Sequence, residues 1–503
     1  MSDKLLKEYE LESEGVNLKI SIVHVEGEFV RSYLVDIPEF GPGTEALLKN
    51  LKSTLVTDTS IKTEKMLDSR FIGSLKTAFK ARAGKILEKE LPNVDERTKE
   101  LLIGMLLHEM LGLGRMEFLL ADGNLEEVVV NSSTEPAWVY HKEFGWLRTN
   151  VIISNESEIQ NFASIIARRV GKQITVLHPL LDAHLISGDR ANATLFPISG
   201  RGNTLTIRRF RREPWTVVDF ITNNTATPEL MALLWTAIQY ELNVIVSGGT
   251  ASGKTSFLNV LMPFIQPNHR IVSIEDTREL SLPKFLHWVP MTTREPNPEG
   301  QGGVSMLDLL INSLRMRPDR IIVGEIRRQK EAEVMFEAMH TGHSTYTTVH
   351  ANTADETIRR LINPPIEIPA TMLEATHINV VMFRNRRLGL RRILQLAEFI
   401  PERRSESEEV IKANVLYRWK PASDLIEKHA DSIRLFDELS MHTGMTMSEI
   451  SQDMKSKKGI LEWLVKHKIR GVNDVGLIMA KYYSDKEDIL KLVKQDKKPD
   501  FVR

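Results

Sequence analysis

The segment NVIVSGGTASGKTSFLNVLMPF, residues 243–264, decides the class of fold. It contains Gly248-Gly249-Thr250-Ala251-Ser252-Gly253-Lys254-Thr255, which fits the pattern G-x-x-x-x-G-K-[ST]. An apolar run precedes the pattern and the helix-like run Ser256–Phe264 follows it, so the sequence predicts a strand, a phosphate-binding loop and a helix. The glycines let backbone N–H groups converge on phosphates, and the helix N-terminus adds a favourable dipole. We expect Lys254 to contact the β- and γ-phosphates of ATP and the Thr255 hydroxyl to bind Mg²⁺.

Two acidic segments follow the loop in the order that phosphoryl transfer requires. The apolar run Arg270–Ile274 ends in Glu275-Asp276-Thr277-Arg278-Glu279. Carboxylates at the carboxyl end of such a strand lie beside the phosphate loop, where they can orient water or a metal ion. The second segment is DRIIVGEIR, residues 319–327, in which Gly324 stands where the usual metal-holding aspartate would be. Glu325 is therefore predicted to act in its place, on Mg²⁺ through water.

A histidine-containing segment, HTGHSTYTTVHAN, spans residues 340–352. His343 and His350 are seven residues apart, but no third ligand is evident, so zinc binding is the weaker alternative. A structural role for a single histidine is the other alternative. Because His350 ends a threonine-rich strand that follows the acidic strand, its position suits a sensor of the γ-phosphate.

The chain has 503 residues, more than one hydrophobic core usually supports, so two or three domains are expected. Residues 17–37 and 137–149 predict β-hairpins, and residues 156–171 predict an amphipathic helix. Short apolar runs near residues 242–247, 270–274, 320–323, 379–383 and 392–400 predict a parallel sheet with crossovers. With the main linker at Glu213-Pro214-Trp215, the predicted divisions are a partner-binding region (1–95), an α+β domain (96–213), an α/β P-loop domain (214–422) and a helical segment (423–503).

Composition excludes several classes of protein. Lys and Arg number 66 against 67 Asp and Glu, which excludes a dominant basic field for duplex nucleic acid. The absence of cysteine excludes disulfides, thiolate zinc sites and cysteine nucleophiles. The acidic, polar start lacks the pattern of a signal peptide, and no uncharged apolar run approaches the length of a spanning helix. We therefore expect a cytoplasmic protein that reaches the membrane through partners.

Four elements of the chain resemble the secretion ATPase superfamily of type II and type IV secretion and type IV pilus motors. In order along the chain, they are the phosphate loop, IEDTRE, RPDRIIVGEIR and TGHSTYTTVHAN. The resemblance extends upstream to residues 188–195 and 205–210 and covers roughly residues 100–400. The C-terminal ILEWLVKHKIRGVNDV is similar to archaeal members. The motor ATPase of the archaellum, the archaeal flagellum, is the leading interpretation, and archaeal pilus-assembly or secretion ATPases are the alternative.

The resemblance implies a C-terminal RecA-like ATPase domain, a homohexameric ring, and a polytopic membrane platform protein as partner. Within it, Glu279 matches the catalytic base of the acidic box, Glu325 the glutamate of the second motif, and His350 the histidine of its box. Arg190 and Arg208 match arginines of the N-terminal domain that reach the phosphates. The acidic box departs from the family's E-D-P-x-E, because Thr277 replaces the proline and loosens the expected turn.

Two other function classes fit the sequence less well than a mechanochemical ATPase. A nucleic-acid translocase would require basic loops interleaved with aromatic residues, whereas the chain is near neutral and only 7% aromatic. A non-catalytic nucleotide-binding scaffold is disfavoured by the intact Lys254, Thr255, Glu279 and Glu325. The sequence leaves open which machine the motor drives, and whether Arg190 and Arg208 act within one subunit or between subunits.

Overall fold

The computed structural model describes residues 4–57, 72–185, 188–209, 213–296, 300–385, 387–403 and 409–502. The chain forms two compact units, Met1–Arg211 and Arg212–Arg503. Their boundary lies just before Glu213-Pro214, where the sequence places the linker. Phe210, Arg211 and Arg212, which directly precede that linker, lie outside the described residues.

Unit 1 contains one nine-stranded sheet with the order β1-β2-β3-β6-β5-β4-β9-β8-β7. Its strands are β1 (Lys4–Ser13), β2 (Val16–His24), β3 (Ser32–Asp36), β4 (Leu125–Val130), β5 (Trp138–His141), β6 (Gly145–Thr149), β7 (Leu180–His184), β8 (Arg190–Thr194) and β9 (Thr204–Arg208). Its helices are α1 (Pro42–Thr57), α2 (Ile72–Glu90), α3 (Glu96–Leu111), α4 (Met116–Ala121) and α5 (Glu156–Arg169). Both predicted hairpins are present, as the antiparallel pairs β2–β3 and β5–β6.

Alternating burial along β2 shows why this sheet forms. Val16, Leu18, Ile20 and Ile22 are at most 1% exposed, while the residues between them are polar or less buried. Helix α3 packs closely on the turn before β2, because Gly104 leaves room for the Glu14 carbonyl, which lies 2.7 Å from where a Cβ would be. Strands β1–β3 thus share one sheet with β4–β9, and no division between compact units falls at residue 95.

Unit 2 contains a second nine-stranded sheet with the order β12-β11-β13-β14-β10-β15-β16-β17-β18. Its strands are β10 (Val244–Gly248), β11 (Ile271–Glu275), β12 (Trp288–Thr292), β13 (Arg320–Val323), β14 (Ser344–Val349), β15 (Ile378–Asn385), β16 (Leu390–Arg403), β17 (Glu409–Lys420) and β18 (Leu425–Lys428). Strands β10 to β15 are parallel, with β10 between β14 and β15, and this is the RecA-like arrangement. The prediction that residues 392–400 continue the parallel sheet is wrong, because β16 pairs antiparallel with β15.

Helices cover both faces of this sheet. They are α6 (Val217–Thr222), α7 (Pro228–Gln239), α8 (Lys254–Leu261), α9 (Met306–Ser313), α10 (Gln329–His340), α11 (Ala354–Ile362), α12 (Leu435–Thr443), α13 (Met447–Lys466), α14 (Val472–Ser484) and α15 (Lys486–Gln495). The segment predicted as helical from residue 423 begins with β18, so its helices start at Leu435. None of the described helices combines the length and apolarity needed to cross a bilayer.

The C-terminal helices share a core with the phosphate-loop side of the sheet. Trp235 of α7 stacks on Phe264 and donates its indole N–H to the Tyr483 hydroxyl of α14 at 2.7 Å. Lys457 of α13 is fully buried, pairs with Asp453 at 2.7 Å and donates to Thr236 of α7 at 2.9 Å. These contacts anchor the C-terminal helices on the sheet and helices of unit 2.

Candidate active site

The phosphate loop joins the fully buried strand β10 to helix α8. Gly253, the N-cap of α8, has a φ of +97°, which only glycine adopts readily. A Cβ at Gly248 would lie 2.5 Å from the Met382 carbonyl oxygen of the neighbouring strand β15, so the loop leaves β10 where a side chain has no room. The loop backbone is therefore shaped as the glycine pattern predicts.

Lys254 begins α8 and is only 8% exposed. Its ammonium donates to the carbonyls of Gly248 and Gly249 at 3.0 and 3.2 Å, and it lies 3.3 Å from His350 Nδ1. Burial lowers the pKa of Lys254, and the negative charges of Glu325 and Glu279 oppose that shift. The lysine predicted to contact phosphates thus lies within the field of both predicted catalytic carboxylates.

His350 connects Lys254 to the second acidic segment. Its Nε2 is 3.0 Å from Glu325 Oε1, while its Nδ1 faces the Lys254 ammonium. Burial and the charge of Lys254 lower the pKa of His350, which favours the neutral ring. A neutral imidazole that accepts at Nδ1 carries its proton on Nε2, so it donates to Glu325. This geometry gives His350 a direct contact with both the phosphate loop and the carboxylate.

Arg327 bridges the two acidic segments. Its Nε and Nη2 donate to Glu325 Oε2 at 3.0 and 2.7 Å, and its Nη1 donates to Asp276 Oδ2 at 2.9 Å. The guanidinium therefore holds carboxylates from the ends of β11 and β13 together, as expected of a planar donor with several N–H groups. The sequence pattern gave Arg327 no role, and it indicated Asp276 only as one of several carboxylates in the first acidic segment.

The acidic loop after β11 carries Glu279. Glu275, at the end of β11, is 2% exposed, and its Oε1 accepts from the backbone N–H groups of Glu279 and Leu280 at 2.9 and 3.0 Å. Its Oε2 has no hydrogen-bond partner among the described residues, and burial raises its pKa to about 7. Asn259 of α8 donates to the Glu279 carbonyl at 3.1 Å. The turn is thus held by side chains where the family pattern has proline.

Magnesium ligands are available beside Lys254. The Thr255 hydroxyl belongs to the first turn of α8, and the Glu325 carboxylate reaches the same lysine through His350. Hydroxyl and carboxylate oxygens are the ligands that Mg²⁺ prefers. The residues present therefore fit a magnesium–nucleotide complex.

Zinc is not favoured by the geometry of the histidine segment. His350 is held between Lys254 and Glu325, while His343 lies at the other end of β14, where its Nδ1 is 3.3 Å from the Thr341 hydroxyl. Among the described residues, three potential ligands meet only at His377, Glu438 and His442. There His377 Nδ1 accepts from the Asn243 N–H at 3.0 Å, and Glu438 pairs with Arg434. Hydrogen bonding and ion pairing therefore account for His377 and Glu438 without a metal.

Arg190 and Arg208 belong to unit 1, where they lie directly opposite each other in the antiparallel pair β8–β9. Directly opposite residues of adjacent strands project from the same face of a sheet. Arg208 is 63% exposed at its side chain, and its Nε lies 3.9 Å from Glu127 Oε1. Unit 1 thus presents two neighbouring arginines from one point of its sheet.

Comparisons with known proteins identify a family and several relatives. A model of the family described as type II/IV secretion system protein matches residues 189–391. An uncharacterized protein of Methanocaldococcus jannaschii is 33% identical over 397 residues, which are 77% of this chain and 70% of that protein. The type IV secretion system protein PtlH of Bordetella pertussis is 31% identical over 260 residues, which are 47% of this chain and 76% of PtlH. The X-ray structure of the Legionella pneumophila ATPase DotB is 17% identical and gives a TM-score of 0.40, covering 74% of this chain and 92% of DotB.

Proposed function

The chain belongs to the type II/IV secretion ATPase superfamily, and we propose that it hydrolyses ATP as a ring-forming motor. One observation supports this proposal most strongly. Lys254, His350 and Glu325, which come from three separate sequence motifs, form a continuous chain of contacts of 3.3 and 3.0 Å. A phosphate-binding lysine in direct communication with a carboxylate and a neutral imidazole is an arrangement suited to phosphoryl transfer.

The residues divide the chemistry among them. The phosphate loop, residues 248–256, holds the phosphates by backbone N–H groups, and Lys254 moves its donors from loop carbonyls to phosphate oxygens. Glu279 accepts a proton from the water that attacks the γ-phosphorus, while the bond to the ADP oxygen breaks. Mg²⁺ would be held by Thr255 and, through water, by Glu325, and it supplies neutralisation of phosphate charge.

His350 reports the state of the γ-phosphate in this proposal. When Lys254 turns towards phosphate, the acceptor at His350 Nδ1 loses its donor, and the hydrogen bond to Glu325 becomes free to change. Arg190 and Arg208 add positive charge to the transition state, where a guanidinium meets charge spread over phosphate oxygens. Release of the γ-phosphate removes that attraction, and the resulting movement would do the mechanical work.

We propose that the motor is a homohexamer that acts at the cytoplasmic face of the membrane through a polytopic platform protein. Assembly and rotation of the archaellum is the leading role, and archaeal pilus assembly or type II/IV secretion is the alternative. The similarity of the C-terminal helices to archaeal members supports this choice. Co-purification with the proteins encoded beside this one separates the alternatives, because each machine has its own platform and filament components.

The hydrolysis proposal is tested with Lys254→Ala and Glu279→Gln, with the exposed Lys284→Ala as the matched control. We expect Lys254→Ala to lose nucleotide binding and turnover while its melting temperature stays unchanged. Glu279→Gln should bind ATP normally and lose hydrolysis by at least a hundredfold, because it keeps shape but removes the base. Retention of more than about a tenth of wild-type hydrolysis by Lys254→Ala contradicts the site, given the roughly 10⁶-fold accelerations that enzymes supply.

A further inference from the structure

Helix α8 contacts the acidic loop through one buried side chain. Asn259 is 7% exposed, its Nδ2 donates to the Glu279 carbonyl at 3.1 Å, and its Oδ1 accepts from the Ser281 N–H at 2.9 Å. An asparagine that both donates to and accepts from one loop holds that loop in a single orientation. Because Asn259 lies five residues after Lys254 on the same helix, a rigid element joins this contact to the phosphate loop.

Glu275 holds the same loop from the other side. Its Oε1 accepts from the Glu279 and Leu280 N–H groups, so both backbone polar groups of Glu279 are bound by side chains. Glu275 extends from the end of β11, which lies between β12 and β13 in the sheet, and is 2% exposed. The backbone of Glu279 is therefore clamped between the sheet and the phosphate-loop helix.

We propose that Asn259 and Glu275 are positioning residues that set the place of the Glu279 carboxylate relative to phosphates bound by α8. The acidic loop needs such a clamp because Thr277 stands where the family pattern has proline, so no ring restricts its backbone. Misplacing a catalytic group by about 1 Å can cost about a hundredfold in rate. This inference rests on the proposed function, in which Glu279 is the base.

A positioning role of Glu275 can be distinguished from direct participation of its carboxylate in the reaction. Oε1 is occupied by two backbone donors, and Oε2 is shielded from solvent and has no partner among the described residues. A glutamine at this position has the same shape and retains one oxygen acceptor for the two backbone donors, while an uncharged NH2 group replaces the second oxygen. A positioning role therefore requires Glu275→Gln to work and Glu275→Ala to fail.

The principal test is Asn259→Ala in single-turnover and steady-state assays. We expect kcat to fall by about 10- to 100-fold, because a catalytic group misplaced by about 1 Å can lose about a hundredfold in rate, while the affinity for a fluorescent ATP analogue changes by less than about threefold. Such a split marks an interaction that acts on the chemical step alone. In the Glu279→Gln background the same substitution should cost less than about threefold, because the carboxylate that it positions is already gone.

Hydrogen exchange supplies a readout that does not depend on activity. The amides of Glu279, Leu280 and Ser281 should exchange faster in Asn259→Ala and Glu275→Ala, and at the wild-type rate in Glu275→Gln. The matched control is Asn414→Ala on β17, whose side chain also makes two hydrogen bonds, by donating to Glu398 and to the Asp431 carbonyl. It should leave kcat and these amides unchanged.

Three outcomes overturn the inference. Full additivity of Asn259→Ala with Glu279→Gln shows that Asn259 does not act through Glu279. A Glu275→Gln variant as inactive as Glu275→Ala shows that the carboxylate itself takes part in chemistry or metal binding. Unchanged kcat in Asn259→Ala removes its role altogether. Failure of the proposed function looks different, because then the wild-type protein neither binds nor hydrolyses ATP.

Discussion

Restoring the aspartate that the second acidic segment lacks should destabilise this protein. Gly324 occupies that place, and a Cβ there would lie 3.5 Å from both Cα and Cγ of Glu275 on the adjacent strand. An alanine at this position makes ordinary van der Waals contact. The variant Gly324→Asp adds a carboxylate beside one that is already buried, whereas Gly324→Ala adds the same Cβ without charge and is the matched control.

The expected penalty depends on pH, and its sign follows from Glu275. Two carboxylates about 4 Å apart repel by about 4 kcal/mol at an effective dielectric constant of about 20. The alternative is that Glu275 stays protonated, which removes the repulsion. Its pKa is about 7, so keeping the proton at pH 9, two pH units higher, costs about 2.7 kcal/mol at about 1.36 kcal/mol per unit. The protein takes the lower of these two costs, so the expected loss in free energy of unfolding is about 2.7 kcal/mol. The folded variant then binds more protons than the unfolded chain, so its stability falls as pH rises.

The assay is thermal and denaturant unfolding of both variants at pH 6 and pH 9. At pH 6 Glu275 is largely protonated, so repulsion between its carboxyl group and the new carboxylate should change the melting temperature little. At pH 9 Gly324→Asp should melt about 5 to 10 °C below Gly324→Ala. A difference between the variants that does not grow with pH, or a Gly324→Asp variant more stable than Gly324→Ala at pH 9, would refute the reasoning.

Two further predictions concern nucleotide binding and its arginines. Gly248→Ala should weaken ATP affinity at least tenfold, because its Cβ would lie 2.5 Å from the Met382 carbonyl oxygen. In Gly249→Ala the Cβ would lie 3.0 Å from the Asn352 side chain, which can move, so ATP affinity should fall less than about threefold. Equal losses of affinity by titration calorimetry would contradict this difference. Arg208→Ala should lower kcat by about 10³-fold or more, and mixing it with inactive Lys254→Ala subunits should restore ATPase if the arginine acts on a neighbour's nucleotide. No recovery would place its action within one chain, and wild-type activity of Arg208→Ala alone would exclude the role.

The sequence alone determined the features that depend on residues close together along the chain. The glycine pattern at Gly248–Thr255 predicted the strand, loop and helix that the structure contains, because positive φ values and helix N-termini have local signatures. The acidic segments were likewise found where apolar strands end, and His350 was found where a threonine-rich strand ends. Turn residues and alternation predicted both N-terminal hairpins.

Only the tertiary structure decided which of these segments meet and by which atoms. Arg190 faces Arg208, Arg327 bridges Asp276 and Glu325, and Asn259 holds Glu279, although nothing in the spacing of these residues indicates it. The same holds for β1 to β3, which extend the sheet of β4 to β9, and for β16, which pairs antiparallel with β15. Periodicity tells whether a residue is buried, but strand partners and side-chain hydrogen bonds are selected by the packing of the whole chain, which joins residues far apart in sequence.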